Sequence, residues 1–346
     1  MPMHQIDIER VETRVFERDT LFTRSVRSIL RSIIIPFSDP QHKEAYKEQF
    51  AIASRNVEIT VEDLFKFSVR HPLKMALVMG VTRNWLTTYF GAQNDSKHKE
   101  RFLVYTQFDN KIPFIPAADI MYTYMLAQIA FVANEISKYL SWSEMKNITE
   151  SFVALNNLGV SVFKQYPTVI PRFFDHNRLS LKVIQFIDGP VNCCPSLHIA
   201  YSVFLDNVAR TIFGDTKKET FQAIRYSTIR MFNSVLYTKQ HALIDVAFGI
   251  LCAEIIYKRR VAHDFNNLFC LFESLRLEHP DIDYTEIVRI YTEGVAIYQK
   301  LDNLPETIGT YLTANGYLQV DPDAALSTCY FDTKQKKLIV QKDHGA

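Results

Sequence analysis

The chain lacks any imbalance of charge. Its 39 Lys and Arg stand against 38 Asp and Glu, a formal net charge of +1. No global field is available to gather nucleic acid, which is excluded as a partner. The short basic clusters Arg24 to Arg31 and Lys258 to Arg260 read as solvated helix faces. Cysteine is scarce, five in all and without framework spacing, which excludes a disulfide scaffold. Met1 to Thr20 is rich in charge and has no apolar core of a secretory signal, so a cytoplasmic, reducing location is expected. No fixed-period repeat and no low-complexity linker breaks the chain. Long apolar runs are few: Ile112 to Ala133, interrupted among charges only by Asp119, is long enough to span a membrane, and the other candidates do not reach that length cleanly. Met75 to Ala92, Ala200 to Phe213 and Ala242 to Tyr257 each contain charged or amide side chains that are costly in lipid. These segments read as core helices of a soluble protein, with peripheral membrane contact left open.

What is present is helical periodicity. Apolar residues recur at helix spacing in Asp19 to Ile35, Val61 to Phe67, Ile120 to Leu140, Ile148 to Lys164, Ser196 to Phe213, Glu219 to Tyr237, His241 to Arg260 and Phe265 to Leu275. Alternating strand patterns are missing except for a hairpin-like end at Cys329 to Gln341. The fold class is all-α, a helical bundle with extra helices at both ends.

Two short stretches carry chemistry. Asn192-Cys-Cys-Pro-Ser-Leu-His198 holds one histidine, and Ser234 to Asp245 holds a second, His241, four residues ahead of a carboxylate. On a helix, residues four apart share a face, so Asp245 is placed to bind His241 Nδ1 and leave Nε2 free to attack. A neutral imidazole is a competent nucleophile toward phosphorus, and a phosphohistidine splits one hard step into two. His198 is the candidate general acid for the leaving oxygen. Pro195 and Ser196 mark a helix start, whose N–H groups, with the Ser196 hydroxyl, form an anion cradle. Arg172, in a Pro-bracketed loop, suits bidentate phosphate contact. Lys164 and Lys239 are the next cations, Lys239 only if the entry to His241 is not helical.

Bland readings accompany these. Cys193 and Cys194 read as small buried apolar residues, and Asp109 with Lys111 as a surface pair. His198, His241 and Asp245 are also the donor types of a non-haem iron site, but the first histidine does not sit two residues from the acid, so no metal is assigned.

The motifs resemble those of the type 2 phosphatidic acid phosphatase superfamily, which includes vanadium haloperoxidases. Its patterns are Lys-x6-Arg-Pro, Pro-Ser-x-His and Ser-Arg-x5-His-x3-Asp. Pro195, Ser196 and His198 match the second in full. Ser234, His241 and Asp245 match the third, with Val235 at its arginine. Arg172 matches the first, with Phe173 at its proline and Gln165 at its lysine. Ile112-Pro-Phe-Ile-Pro116 and the Asn-Cys-x-Pro-Ser-Leu-His wording are similar to the inositol phosphorylceramide synthase-like branch. The resemblance covers roughly residues 105 to 260. It divides the chain into an N-terminal helical extension (1–104), a catalytic helical core (105–261) and a C-terminal helical appendix (262–346). It implies His241 as nucleophile, Asp245 as orienting acid, His198 as proton donor, and Arg172 and Ser196 as phosphate ligands. No cofactor is expected. Vanadate mimics phosphate, but the missing arginine and lysine argue against tight binding. The expected activity is a metal-independent phosphatase or phosphotransferase on a phosphate ester or diphosphate with a lipid or prenyl tail. Phe114, Tyr122, Tyr124 and Phe131 are the aromatic surroundings for that tail. The alternatives are a diphosphate-ionising lyase or cyclase on the same scaffold, and a silent phospholipid-binding protein.

Overall fold

A computed structural model describes residues 65, 67–96, 98–123, 135–172, 176, 178–214, 216–321 and 329–340, and these are predominantly helical. The helix expected over Asp19 to Ile35 lies outside the described residues, as do most of Val61 to Phe67 and the middle of Ile120 to Leu140, with Tyr124 and Phe131. The described helices are α1 (Pro72–Ser96), α2 (Gln107–Lys111), α3 (Asp119–Thr123), α4 (Trp142–Gln165), α5 (Leu179–Ile187), α6 (Leu197–Phe213), α7 (Lys218–Tyr237), α8 (Leu243–Arg260), α9 (Phe272–Glu278), α10 (Tyr284–Leu301) and α11 (Leu304–Ala314).

Helix α8 is the centre. Leu243 to Ala253 and Ile255 to Tyr257 are all buried, as a helix apolar on every side requires. Helices α4, α6 and α10 pack around it; α7 lies on α6, α1 on α4, and α11 on α10 and α4. Ser141 and Glu144 start α4 with a reciprocal capping box, which fixes where that helix begins.

Short strands tie distant segments to this bundle. β1 (Arg101–Leu103) runs parallel to β2 (Thr168–Val169), Phe102 opposite Thr168. On its other edge β1 pairs antiparallel with β3 (Gln319–Val320), Phe102 opposite Gln319. The hairpin expected near the C-terminus is present as β4 (Cys329–Asp332) and β5 (Lys337–Val340), Tyr330 opposite Ile339. One apolar cluster runs from Ala92 through α8 to Phe331. The three segments divided at 104 and 261 therefore share a core, and the C-terminal segment adds strands as well as helices. Among the described residues no helix is long and apolar enough to cross a membrane. The run from Ile112 is a loop, a 3₁₀ turn at Pro116–Ala118 and α3, as far as Thr123.

The crossing of α6 and α8 positions the chemistry. A Cβ at Gly249 would lie 2.8 Å from the Ser196 carbonyl oxygen and 3.0 Å from Ile199 Cβ. Backbone rather than a flexible side chain meets it, so the helices must move apart to admit a methyl group. Gly249→Ala is expected to destabilise by about 1–3 kcal/mol despite alanine's better helix propensity. Urea unfolding checks this; a stability gain would contradict the close crossing.

Candidate active site

The two sequence motifs arrive at one place by different local devices. The first rides on a loop stitched to β2. Asn192 N–H donates to Thr168 O (2.8 Å), and Cys194 N–H donates to Thr168 Oγ1 (2.9 Å). Asn192 adopts φ +61°, which asparagine tolerates better than most residues. Ser196 then caps α6, accepting Ile199 N–H at 3.4 Å. Its own N–H donates to Asp245 O (3.0 Å), joining the start of α6 to the first turn of α8.

The second motif is a non-helical turn between α7 and α8. Gln240 and His241 N–H both donate to Val235 O at 3.1 Å. Lys239 sits at φ +52°, a left-handed position that costs a non-glycine residue some strain. Helix α8 starts at Leu243, so His241 is not on it. Asp245 occupies its third position and reaches back to Ala242 N–H (2.8 Å) and to His241 Nδ1 (3.2 Å). The expected His–Asp contact forms, through this reach-back rather than a shared helix face.

His198 Nδ1 lies 3.0 Å from His241 Nε2. The result is a chain from Asp245 through His241 to His198. Asp245 Oδ2 already accepts an N–H from Ala242, which favours a second donor, Nδ1–H of His241, and leaves His241 Nε2 with its lone pair. Burial lowers His241 to a pKa of about 4; Asp188 opposes this and Arg172 adds to it. Burial, and then His241, lowers His198 to about 3, with Asp188 opposing. Burial pushes Asp245 up to about 8 against the pull of Ala242 N–H and Arg172. Both rings are therefore neutral at neutral pH, as an attacking nitrogen must be. Asp245 Oδ1 is buried without a partner.

Two charged groups complete the site. Arg172 is 6% exposed. Its Nη2 donates to the carbonyls of Asp188 and Gly189 (2.9 Å each), its Nη1 donates to Gln240 Oε1, and its Nε is buried without a partner. Asp188 accepts from Tyr89, Gln93 and Tyr122. Burial raises its pKa, but His198, Arg172 and the two tyrosine hydroxyls outweigh that and hold it below the ordinary carboxylate value. Tyr122 stacks on His198 with ring centroids 4.4 Å apart. Ser234 holds Tyr122 in place: its hydroxyl donates to Ala118 O (2.6 Å) and accepts Tyr122 N–H (3.2 Å).

The structure brings His241, His198, Asp245 and Arg172 together. Lys164 is exposed near the C-terminal end of α4. Lys239 is buried, but its ammonium donates to Asp109 O (2.6 Å) and lies over the Tyr105 ring; burial lowers its pKa to about 8. Ser196 is fully buried and its hydroxyl oxygen is spent on the cap. The Leu197 and His198 N–H groups, in the first turn of α6, have no intrahelical acceptor. Val235 is fully buried, so its side chain offers phosphate nothing in place of arginine. Asp109 is not on the surface: it is 2% exposed and its Oδ1 accepts Leu243 N–H (2.7 Å) at the start of α8. Burial raises it to a pKa of about 6. Cys193 and Cys194 are both buried. The iron-site alternative fits poorly, since His198 Nδ1 is turned onto His241 and His241 Nδ1 onto Asp245.

Sequence reasoning missed Asp188, Gln240, Tyr89 and Gln93. Asp188-Gly189-Pro190, a lone acid between apolar runs and just ahead of the first motif, is the one signal by which the first of these could have been found. Comparison with known proteins adds no relative: no family model, no curated protein and no solved structure matches the chain.

Proposed function

We propose that this chain is a metal-independent phosphoryl-transfer enzyme that works through a phosphohistidine at His241. The observation that carries the reading is the unbroken contact from Asp245 to His241 Nδ1 (3.2 Å) and from His241 Nε2 to His198 (3.0 Å), beside the buried Arg172. One phosphate can reach both rings only if they share a site, and they do.

In the first step Nε2 of His241 bonds to phosphorus and the bond from phosphorus to the leaving oxygen breaks. The electron pair stays on that oxygen, which takes a proton from His198. In the second step water, or an acceptor alcohol, attacks phosphorus. The P–N bond breaks, its pair returns to Nε2, and His198 takes the proton of the attacking oxygen. In-line displacement places the leaving oxygen beyond phosphorus, so the two rings part when substrate enters. His198 becomes charged then, favoured by the negative phosphate and by Asp188.

The substrate class is a phosphate ester or diphosphate with a lipid or prenyl tail. Two features support this. Phe186 is 91% and Val183 48% exposed on α5, just ahead of Asp188, and Leu86 on α1 is exposed one turn from Tyr89. An apolar rim beside a polar site suits a tailed phosphate held at a membrane surface.

The test is phosphate release from lipid phosphates and prenyl diphosphates in excess EDTA. Metal-independent release is expected. Lipid phosphate binding without release would contradict it in favour of a silent binding protein. Loss of intact diphosphate with an altered prenyl chain would mark a lyase.

A further inference from the structure

Asp188 is a charge that no motif requires. It follows α5 directly, yet helices far away in sequence supply its partners. From α1, the Tyr89 hydroxyl (2.5 Å) and the Gln93 amide (3.2 Å) donate to Oδ1. From α3, the Tyr122 hydroxyl donates to Oδ2 at 2.7 Å. Three converging donors mark a carboxylate held ionised and fixed in position. The groups facing it are Tyr89, Tyr122, Arg172, Cys193 and the two imidazoles, with Asp245 behind His241. Arg172 turns its Nη atoms onto backbone carbonyls and Gln240. Hydrogen bonds therefore hold the Asp188 carboxylate, and its charge stays available to the histidines.

The same Tyr122 that anchors on Asp188 lies against His198, the planes inclined by 29°. With Val235 and Gln165 at two positions where the resemblance calls for cations, little positive charge remains for a departing oxygen. Protonation of that oxygen then carries more of the barrier.

We propose that Asp188 is the positioning residue for His198: Tyr122, anchored on its carboxylate, sets the plane of the imidazole, and the carboxylate charge keeps a proton on that ring while substrate is bound. His198 hands this proton to the leaving oxygen and regains one from the attacking water or alcohol, so the cycle closes without a further reactant. This inference rests on the phosphoryl-transfer reading.

Two variants and two phosphates test it. Asp188→Asn keeps size and one acceptor, removes the charge and turns the second acceptor into an amide donor. On an alkyl phosphate, whose oxygen cannot leave without a proton, kcat/KM is expected to fall by at least about 10²-fold. On 4-nitrophenyl phosphate, whose oxygen leaves unprotonated, the fall is expected to be at least about tenfold smaller. Tyr122→Phe keeps the ring stack and drops the anchor, and should show the same selectivity at smaller size. Equal losses on both phosphates, or none, overturn the proposal. The ¹⁵N shifts of His198 give a readout independent of turnover: the ring should take up its proton at lower pH in Asp188→Asn than in wild type. That shift in a protein that turns over neither phosphate would sink the catalytic reading and leave the charge coupling standing. An unchanged titration sinks the coupling itself.

Discussion

His241→Ala is expected to reduce phosphate release by at least about 10⁴-fold, because it removes the nitrogen proposed to bond to phosphorus. Neighbouring groups offer no substitute nucleophile. His198 makes its hydrogen bond to the lost nitrogen, and burial raises the Cys193 and Cys194 thiols well above their ordinary range, so they are not thiolates. The fold should survive. His241 is 7% exposed but sits in a turn held by backbone bonds to Val235, so alanine leaves a small void and costs about 1–3 kcal/mol. His241→Gln, closer in volume, should lose as much activity. Activity within tenfold of wild type in either variant, with an unchanged circular dichroism spectrum, would rule out His241 as nucleophile.

Asp245→Asn is expected to do two opposite things. Activity should fall by about 10²–10³-fold, since the amide oxygen keeps the Ala242 and Nδ1 contacts but cannot carry the negative charge that offsets charge developing on the His241 ring. Stability should rise. Burial lifts the Asp245 carboxyl to a pKa of about 8, far above its value in an unfolded chain. Its contribution to folding is intact below about pH 4 and is lost as pH rises toward 8, because the unfolded chain ionises while the folded protein stays protonated. Asparagine has no such loss and still accepts the Ala242 N–H. The difference in Tm between variant and wild type should be small near pH 4 and grow to about 3–6 °C in favour of the variant by pH 8. A variant less stable than wild type at pH 8 would show that the carboxylate is ionised and favourable in the folded protein.

Much of this was legible before the fold. Helices α6, α7 and α8 follow their apolar periodicity to within two residues, since each buries a broad stripe or its whole surface, and α4 begins six residues ahead of its expected start, at its capping box. Met75 to Ala92 reads as a core helix; the helix is there as α1, but of its residues only Ala92, Gln93 and Ser96 are buried. His198, His241 and Asp245 were found because short-range spacing brings each to its motif. Asp188 was not, because its partners Tyr89 and Gln93 lie about a hundred residues upstream and meet it only through tertiary packing. Asp109 and Lys239 illustrate the reverse error. A charge in sequence says nothing of burial, and both belong to a buried network that holds the start of α8 rather than a surface or a phosphate.

The most direct measurement is a rapid acid-free quench of the protein with a ³²P-labelled phosphate substrate, followed by peptide mapping. An alkali-stable, acid-labile label on His241, absent from His241→Gln and accumulating in Asp188→Asn no faster than in wild type, is the expected result. Turnover with no labelled histidine, or a label on another residue, would contradict the account at its root.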